Sequence, residues 1–144
     1  MYINWDSDIY INGVEEPTYG NFGGLNYSNG SYLNGGPVDS LDALFQQHDQ
    51  GVISDHELLT NMVNLSDSQL TTGGDTEAAL YAGFAELTMI GKLVAEGDHL
   101  SFRELIHDVS DAYHNIQIGL AGLTPAETSS LEHWLAQTGG TLFV

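Results

Sequence analysis

His48 and Asp49 stand side by side in the chain. On a helix, neighbours are turned about 100° from one another, so the pair opens a titratable ring and an anionic oxygen ligand onto one neighbourhood. Leu41, Leu44, Phe45 and His48 fall at i, i+3, i+4 and i+7, which is one face of a helix. The imidazole on that face is partly desolvated and needs a hydrogen-bond partner. Taken alone, it reads as a satisfied core histidine. A second feature lies upstream: Tyr19-Gly20-Asn21-Phe22-Gly23-Gly24-Leu25-Asn26 is a glycine-rich loop. Glycines let a backbone curl until several carbonyls converge. Carbonyl oxygens plus a carboxylate are what Ca2+ takes, at roughly six to eight oxygen ligands.

Composition narrows the chemistry. The chain has 144 residues, with 20 Asp and Glu against 2 Lys and Arg, for a formal charge of -18. Such a balance argues against sequence-independent nucleic-acid binding, which needs cations to displace counterions from phosphates. It also argues against docking on anionic membrane through a basic patch. Twenty carboxylates cannot be ion-paired by two cations. The surplus reads either as a solubilising acidic surface or as a call for divalent cations. Cysteine is absent, so disulfides, thiolate nucleophiles and zinc-thiolate sites are excluded. No basic segment followed by an apolar run occurs near Met1, so no cleavable signal peptide is expected. No transmembrane span is expected either.

The elements that must position these residues are predicted as follows. A single domain covers 1–144, with a loop-rich region at 1–38, a helical region at 39–137 and a tail at 138–144. Apolar residues at 42% suffice for a core. Ile9, Ile11 and Val14 around Asn12-Gly13 suggest a small hairpin. A helix starts at Asp39. Ser54 and Glu57 have capping-box spacing before Leu58, Leu59, Met62 and Val63. A third helix spans Thr76 to Val94, and a fourth starts at Ser101 and Glu104. A fifth starts at Thr124, Pro125 and Glu127.

Tyr-Gly-x-Phe-x-Gly, then a Pro-x-Asp-x-Leu-Asp helix start, then His-Asp, resembles the secreted phospholipase A2 superfamily, in particular its shorter, disulfide-poor bacterial and viral members. The likeness covers about Tyr19 to Leu65. It implies a mainly α fold: a core of two antiparallel helices, a Gly-rich N-terminal Ca2+ loop and additional C-terminal helices. It implies a Ca2+-dependent hydrolase of phospholipid acyl esters, acting at a membrane or micelle interface. Phe22, Gly24 and Asn26 would lend backbone oxygens to Ca2+, Asp49 its carboxylate, and His48 would be the general base. Asn21 and Gly23 stand where the animal enzymes have cysteines. Ser54-Asp55-His56-Glu57-Leu58-Leu59 resembles the Ala-Asp-x-x-hydrophobic element of the non-animal members, which makes Asp55 the partner of His48. Asp55 also reads as a first-turn aspartate favouring the helix dipole. Asp75 is the fallback partner, or a plain N-cap.

Rival readings use overlapping residues. Gly51 to Glu57 imitates the second half of an EF-hand loop, with Gln46, His48 and Gln50 where carboxylates belong and Glu57 as the key ligand. His107, Asp111 and His114 at i, i+4 and i+7 have the spacing of a transition-metal site, or of a solvated polar face. Gly73-Gly74-Asp75 is similar to one copy of the Ca2+-binding repeats of type I secreted proteins. It suggests a secreted bacterial protein exported without an N-terminal signal. The rival function is therefore a non-catalytic acidic Ca2+-binding or protein-interaction module. The aromatics of the first third, Tyr2, Trp5, Tyr10, Tyr19, Phe22, Tyr27 and Tyr32, would either line a lipid-entry face or pack a loop-rich region.

Overall fold

A computed structural model describes residues 2–24, 35–98, 100–140 and 142. The N-terminal region makes two short antiparallel ladders. Strand β1 (Ile3–Asn4) pairs with β4 (Thr18–Tyr19), and β2 (Tyr10–Ile11) pairs with β3 (Val14–Glu15). The second ladder is the hairpin predicted at Asn12-Gly13, whose φ values of 52 and 80 give the turn its primed twist.

The rest is helical. Helix α1 (Ser40–Asp49) is capped by the Asp39 carboxylate, which accepts from the Asp42 N–H. Helix α2 (Asp55–Val63) is capped by Ser54, which accepts from the Glu57 N–H. The expected capping box is only half made there, because the Glu57 carboxylate receives the Ser54 hydroxyl instead of its backbone N–H. A short helix α3 (Asp67–Leu70) carries a complete capping box between Ser66 and Gln69 that sequence reading missed. Helix α4 (Glu77–Ala95), α5 (Phe102–Ala121) and α6 (Pro125–Thr138) lie where they are predicted, and α6 has the full Thr124–Glu127 box. Of the tail, Leu142 is buried and its N–H reaches the Thr88 hydroxyl at 2.9 Å.

Helix α4 is the spine. Its 19 residues have a mean hydropathy of 1.3 over the most apolar window, enough by length and composition for a membrane span. It nevertheless contributes Ala79, Leu80, Tyr81, Ala82, Met89 and Leu93 to the core beside Leu41, Phe45, Leu58, Leu59 and Met62, which is the behaviour of a buried core helix. Helix α5 packs closely on it because Gly119 lies against the backbone of Leu80; a Cβ there would stand 2.4 Å from the Leu80 Cβ. Only glycine permits that approach.

The same helix pair buries charge. Glu86 on α4 is 0% exposed, and its Oε1 accepts from the Asn115 amide at 2.9 Å. Its Oε2 has no partner while both it and Asp111 are ionised. A proton on Glu86 turns that oxygen into a donor toward Asp111. Burial, then the Asp111 charge, pushes the Glu86 carboxyl up to about 9. The unfolded chain releases this proton near the ordinary 4.5. The stability the pair carries is therefore full below that pH and is lost as pH rises toward the folded value. Glu86→Gln keeps a donor and an acceptor without the proton. We expect it to unfold as the wild type does at pH 5 and to gain about 1–3 kcal/mol at pH 8 in urea denaturation. Destabilisation at pH 8 would show that Glu86 is ionised in the fold.

Candidate active site

The glycine-rich loop is held to α1 by a buried carboxylate. Strand β4 ends at Tyr19, and the chain doubles back so that Tyr19 and Gly23 exchange N–H···O bonds of 2.9 and 2.8 Å. Asp42, one turn into α1, is 0% exposed. Its Oδ2 accepts from the N–H groups of Asn21 at 2.9 Å and Val38 at 3.0 Å, and its Oδ1 from Phe22 at 2.9 Å. Burial raises the Asp42 carboxyl, and the three N–H groups pull it back only in part. Gly20, at φ 56, lies under this carboxylate; a Cβ there would sit 2.5 Å from its Cγ. The Tyr19 hydroxyl donates to Asp39, fastening the strand to the helix cap.

The peptides are trans, so each N–H points opposite its neighbouring carbonyl. With the Asn21 and Phe22 N–H groups aimed at Asp42, and the Gly23 N–H at Tyr19, the carbonyls of Gly20, Asn21 and Phe22 face the other side of the loop. The Phe22 ring is buried, so only its backbone is offered. Gly24 follows with φ 134. Asn26 lies outside the described residues. Gly23 rests on Phe45, its Cβ position 3.0 Å from the Phe45 ring. Phe45 precedes His48 by three residues and Asp49 by four, and such neighbours share a helix face. Asp49 is exposed, and it lies with Asp42 and Phe45 at i, i+3 and i+7. The Tyr81 hydroxyl, which donates to the Pro17 carbonyl at 3.3 Å, is raised first by burial and then by Glu16, Asp42 and Asp49. Loop carbonyls and one carboxylate form a set of hard oxygen donors whose chemistry fits Ca2+. Among the described residues no group of three His, Asp or Glu side chains converges on a metal position.

His48 meets Asp55. The chain turns at residues 50–54, and α2 starts beside the end of α1. The His48 Nε2 is 2.6 Å from the Asp55 Oδ1. Lys92 on α4 reaches the other oxygen, with Nζ 2.8 Å from Oδ2. Burial works against the Asp55 charge, but the Lys92 and His48 hydrogen bonds prevail and hold its carboxyl below the usual range. An ionised Asp55 accepts the Nε2 proton, which leaves the lone pair on Nδ1. The side chains of His48 and Asp55 are 17% and 25% exposed, so the dyad is sheltered yet reachable.

The other candidates part company. Asp75 takes the Glu77 N–H at 2.9 Å, a helix-start role, and His48 is served by Asp55. Gln46 and His48 lie inside α1, where the Gln46 carbonyl accepts the Gln50 N–H, so the twelve-residue EF-hand loop is not formed. His114 pairs with Asp67 at 3.0 Å, His107 with Asp108 at 3.3 Å, and Asp111 turns inward to Asn115 at 3.1 Å. That trio serves three contacts, not one metal. Sequence reading gave Asp42 and Lys92 no role. Asp42 was marked by its place between Leu41 and Phe45 on the apolar side of α1. Lys92 was marked by scarcity, being one of two cations facing twenty acids.

No family model, curated protein or solved structure matches the chain.

Two variants test this geometry. Asp42→Ala strands three backbone donors, and we expect a loss of about 3 kcal/mol in urea denaturation, with faster amide exchange at Asn21 and Phe22. Unchanged exchange there would mean that the loop is held by something else. Lys92 is 42% exposed, so Lys92→Met should cost under about 1 kcal/mol of stability. It should still quicken exchange of the His48 ring N–H roughly two- to fivefold, because Asp55 loses its second anchor. An unaltered ring proton would reduce Lys92 to a surface ion pair.

Proposed function

We propose that the protein is a Ca2+-dependent hydrolase of phospholipid acyl esters, working at a lipid interface. One observation carries this reading: the His48–Asp55 contact of 2.6 Å on the same helix that fastens a loop whose amides are taken up by Asp42 and Tyr19. The dyad stands at the last turn of α1, the loop is fastened at its first turn, and Phe45 between them packs on Gly23.

Ca2+ held by the Phe22 and Gly24 carbonyls, with Asn26 and the Asp49 carboxylate, would polarise the ester carbonyl and bind the phosphate. His48 Nδ1 takes a proton from water as the water oxygen attacks the ester carbon. This step is worth roughly 10²–10⁴-fold. Asp55 fixes the ring tautomer and steadies the cation that forms, without itself becoming protonated. The Gly24 N–H would donate to the developing oxyanion. His48 then returns the proton to the departing alkoxide. No side chain is acylated, so the reaction needs neither a serine nor a cysteine nucleophile.

The rival reading, a non-catalytic acidic Ca2+ binder, shares Asp49 and the loop but needs no dyad. Release of fatty acid from phosphatidylcholine vesicles in millimolar Ca2+ separates the two. We expect the wild type to release it, EDTA to abolish release, and His48→Asn to lower the rate by about 10²-fold or more while Ca2+ still binds. Release that continues in EDTA, or is unaffected in His48→Asn, would defeat the mechanism. Ca2+ binding with no release from any phospholipid would leave the binder.

A further inference from the structure

The chain has two tryptophans, 129 residues apart, and the fold brings them together. Trp5 follows β1, and Trp134 lies on α6. Their ring centroids are 6.3 Å apart with planes tilted by 60°, so they form a corner. Phe84 backs Trp134 edge-on, with centroids 5.2 Å apart at 87°, which fixes the inner wall. The corner opens into a cleft of about 200 Å³ between the N-terminal segment and one stripe of α6, where Trp134 is followed by Gln137 and preceded by Ser130. Asp6, Glu15 and Pro17 complete the lining on the strand side, and His133 joins it on α6, with its ring beside Gln137 at 3.3 Å. Among the described residues neither carboxylate has a cationic partner; the Glu15 carboxylate accepts the Asp8 N–H at 2.8 Å and a hydrogen bond from the Tyr10 hydroxyl. This cleft shares no residue with the His48–Asp55 site.

We propose that the cleft is a second binding site, and that it takes a quaternary ammonium group. Three observations select that chemistry. Two indole rings meeting at a corner line the cleft, and an indole π-system attracts cations and favours weakly hydrated organic ones. Two carboxylates at the edge add attraction, and a net charge of -18 repels anions from the whole surface. The volume is below the roughly 300–1,000 Å³ of pockets for drug-sized ligands, so the occupant is a small head group. A strongly hydrated inorganic cation gains little from aromatic walls. A neutral polyol would leave both carboxylates uncompensated. The same ammonium chemistry occurs in free choline and in the head group of a choline phospholipid. The site stands whether or not the hydrolase reading does.

The test uses the full chain and its own reporters. The chain's two indoles, Trp5 and Trp134, both line the cleft, so the NMR signals of their buried ring N–H groups report on its occupation. Choline chloride is titrated against an equal ionic strength of NaCl, and against 3,3-dimethylbutanol, the neutral isostere. Saturable movement of both signals is expected with choline at millimolar Kd, with the isostere at least about tenfold weaker. Trp5→Leu should weaken binding about tenfold, while Trp5→Phe, which keeps an aromatic wall, retains most of it. Trp134 is left in place because it is buried in the core. Dodecylphosphocholine micelles form the second arm. Binding much tighter than to free choline assigns the lipid head group, and equal binding assigns the free cation. No saturable shift with choline, or equal binding of the isostere, overturns the proposal.

Discussion

A carboxylate buried without a cation governs this structure. Asp42 sits on the apolar side of α1, fully enclosed, and no lysine or arginine is placed to neutralise it. An ion in such a place must be met by dipoles or protons. Asp42 is met by three backbone N–H groups from two stretches of chain that flank the undescribed part of the loop. The bonds that satisfy this charge hold the glycine-rich segment on the helix. The negative charge that looked like a burden in the sequence thus becomes the fastening of the candidate site.

Other buried acids meet the same constraint in different ways. Glu77 takes the N–H groups of Tyr2 and Ile3, at 2.5 and 3.1 Å, and ties the first strand to the start of α4. Burial, and then the nearby Glu127, holds its carboxyl up at about 7. Glu86 shares a proton with Asp111. Among the described residues Asp55 is the acid given a lysine, Lys92, and it is held ionised beside His48. His56 is raised chiefly by its 2.6 Å bond to Glu104 and joins α2 to α5 as a weak cation. Histidines and backbone amides do here what lysines and arginines do in most proteins, and the one lysine is spent on the dyad.

Much of this was legible in the sequence. Caps at Ser54, Ser101 and Thr124 placed three helix starts, because each uses a short-range rule in which one side chain meets one N–H three residues on. The short α3 was missed, since four residues carry no periodicity and only the Ser66–Gln69 box marks it. The pairing of His48 with Asp55 was foreseen from a resemblance, and a plain helix-start role for Asp55 stood beside it. Both hold: the aspartate occupies the first turn of α2 and reaches back to His48. What was not legible depends on contacts distant in sequence. No local pattern announces that Lys92 lies opposite Asp55, that Asp111 turns from His107 to Glu86, or that Trp5 meets Trp134. The apolar run of α4 illustrates the reverse: a window apolar enough for a membrane is the centre of a helical core.

The central claim is that loop carbonyls and Asp49 hold one hard dication within reach of the His48 ring. A crystal soaked in Ca2+ tests it most directly, with Asp49→Asn crystals alongside. Density for one ion is expected, with the Phe22 and Gly24 carbonyl oxygens and an Asp49 oxygen at about 2.3–2.6 Å, and that density should be missing in the variant. An ion found only elsewhere on the acidic surface, or an unchanged ion in the variant, would contradict the site.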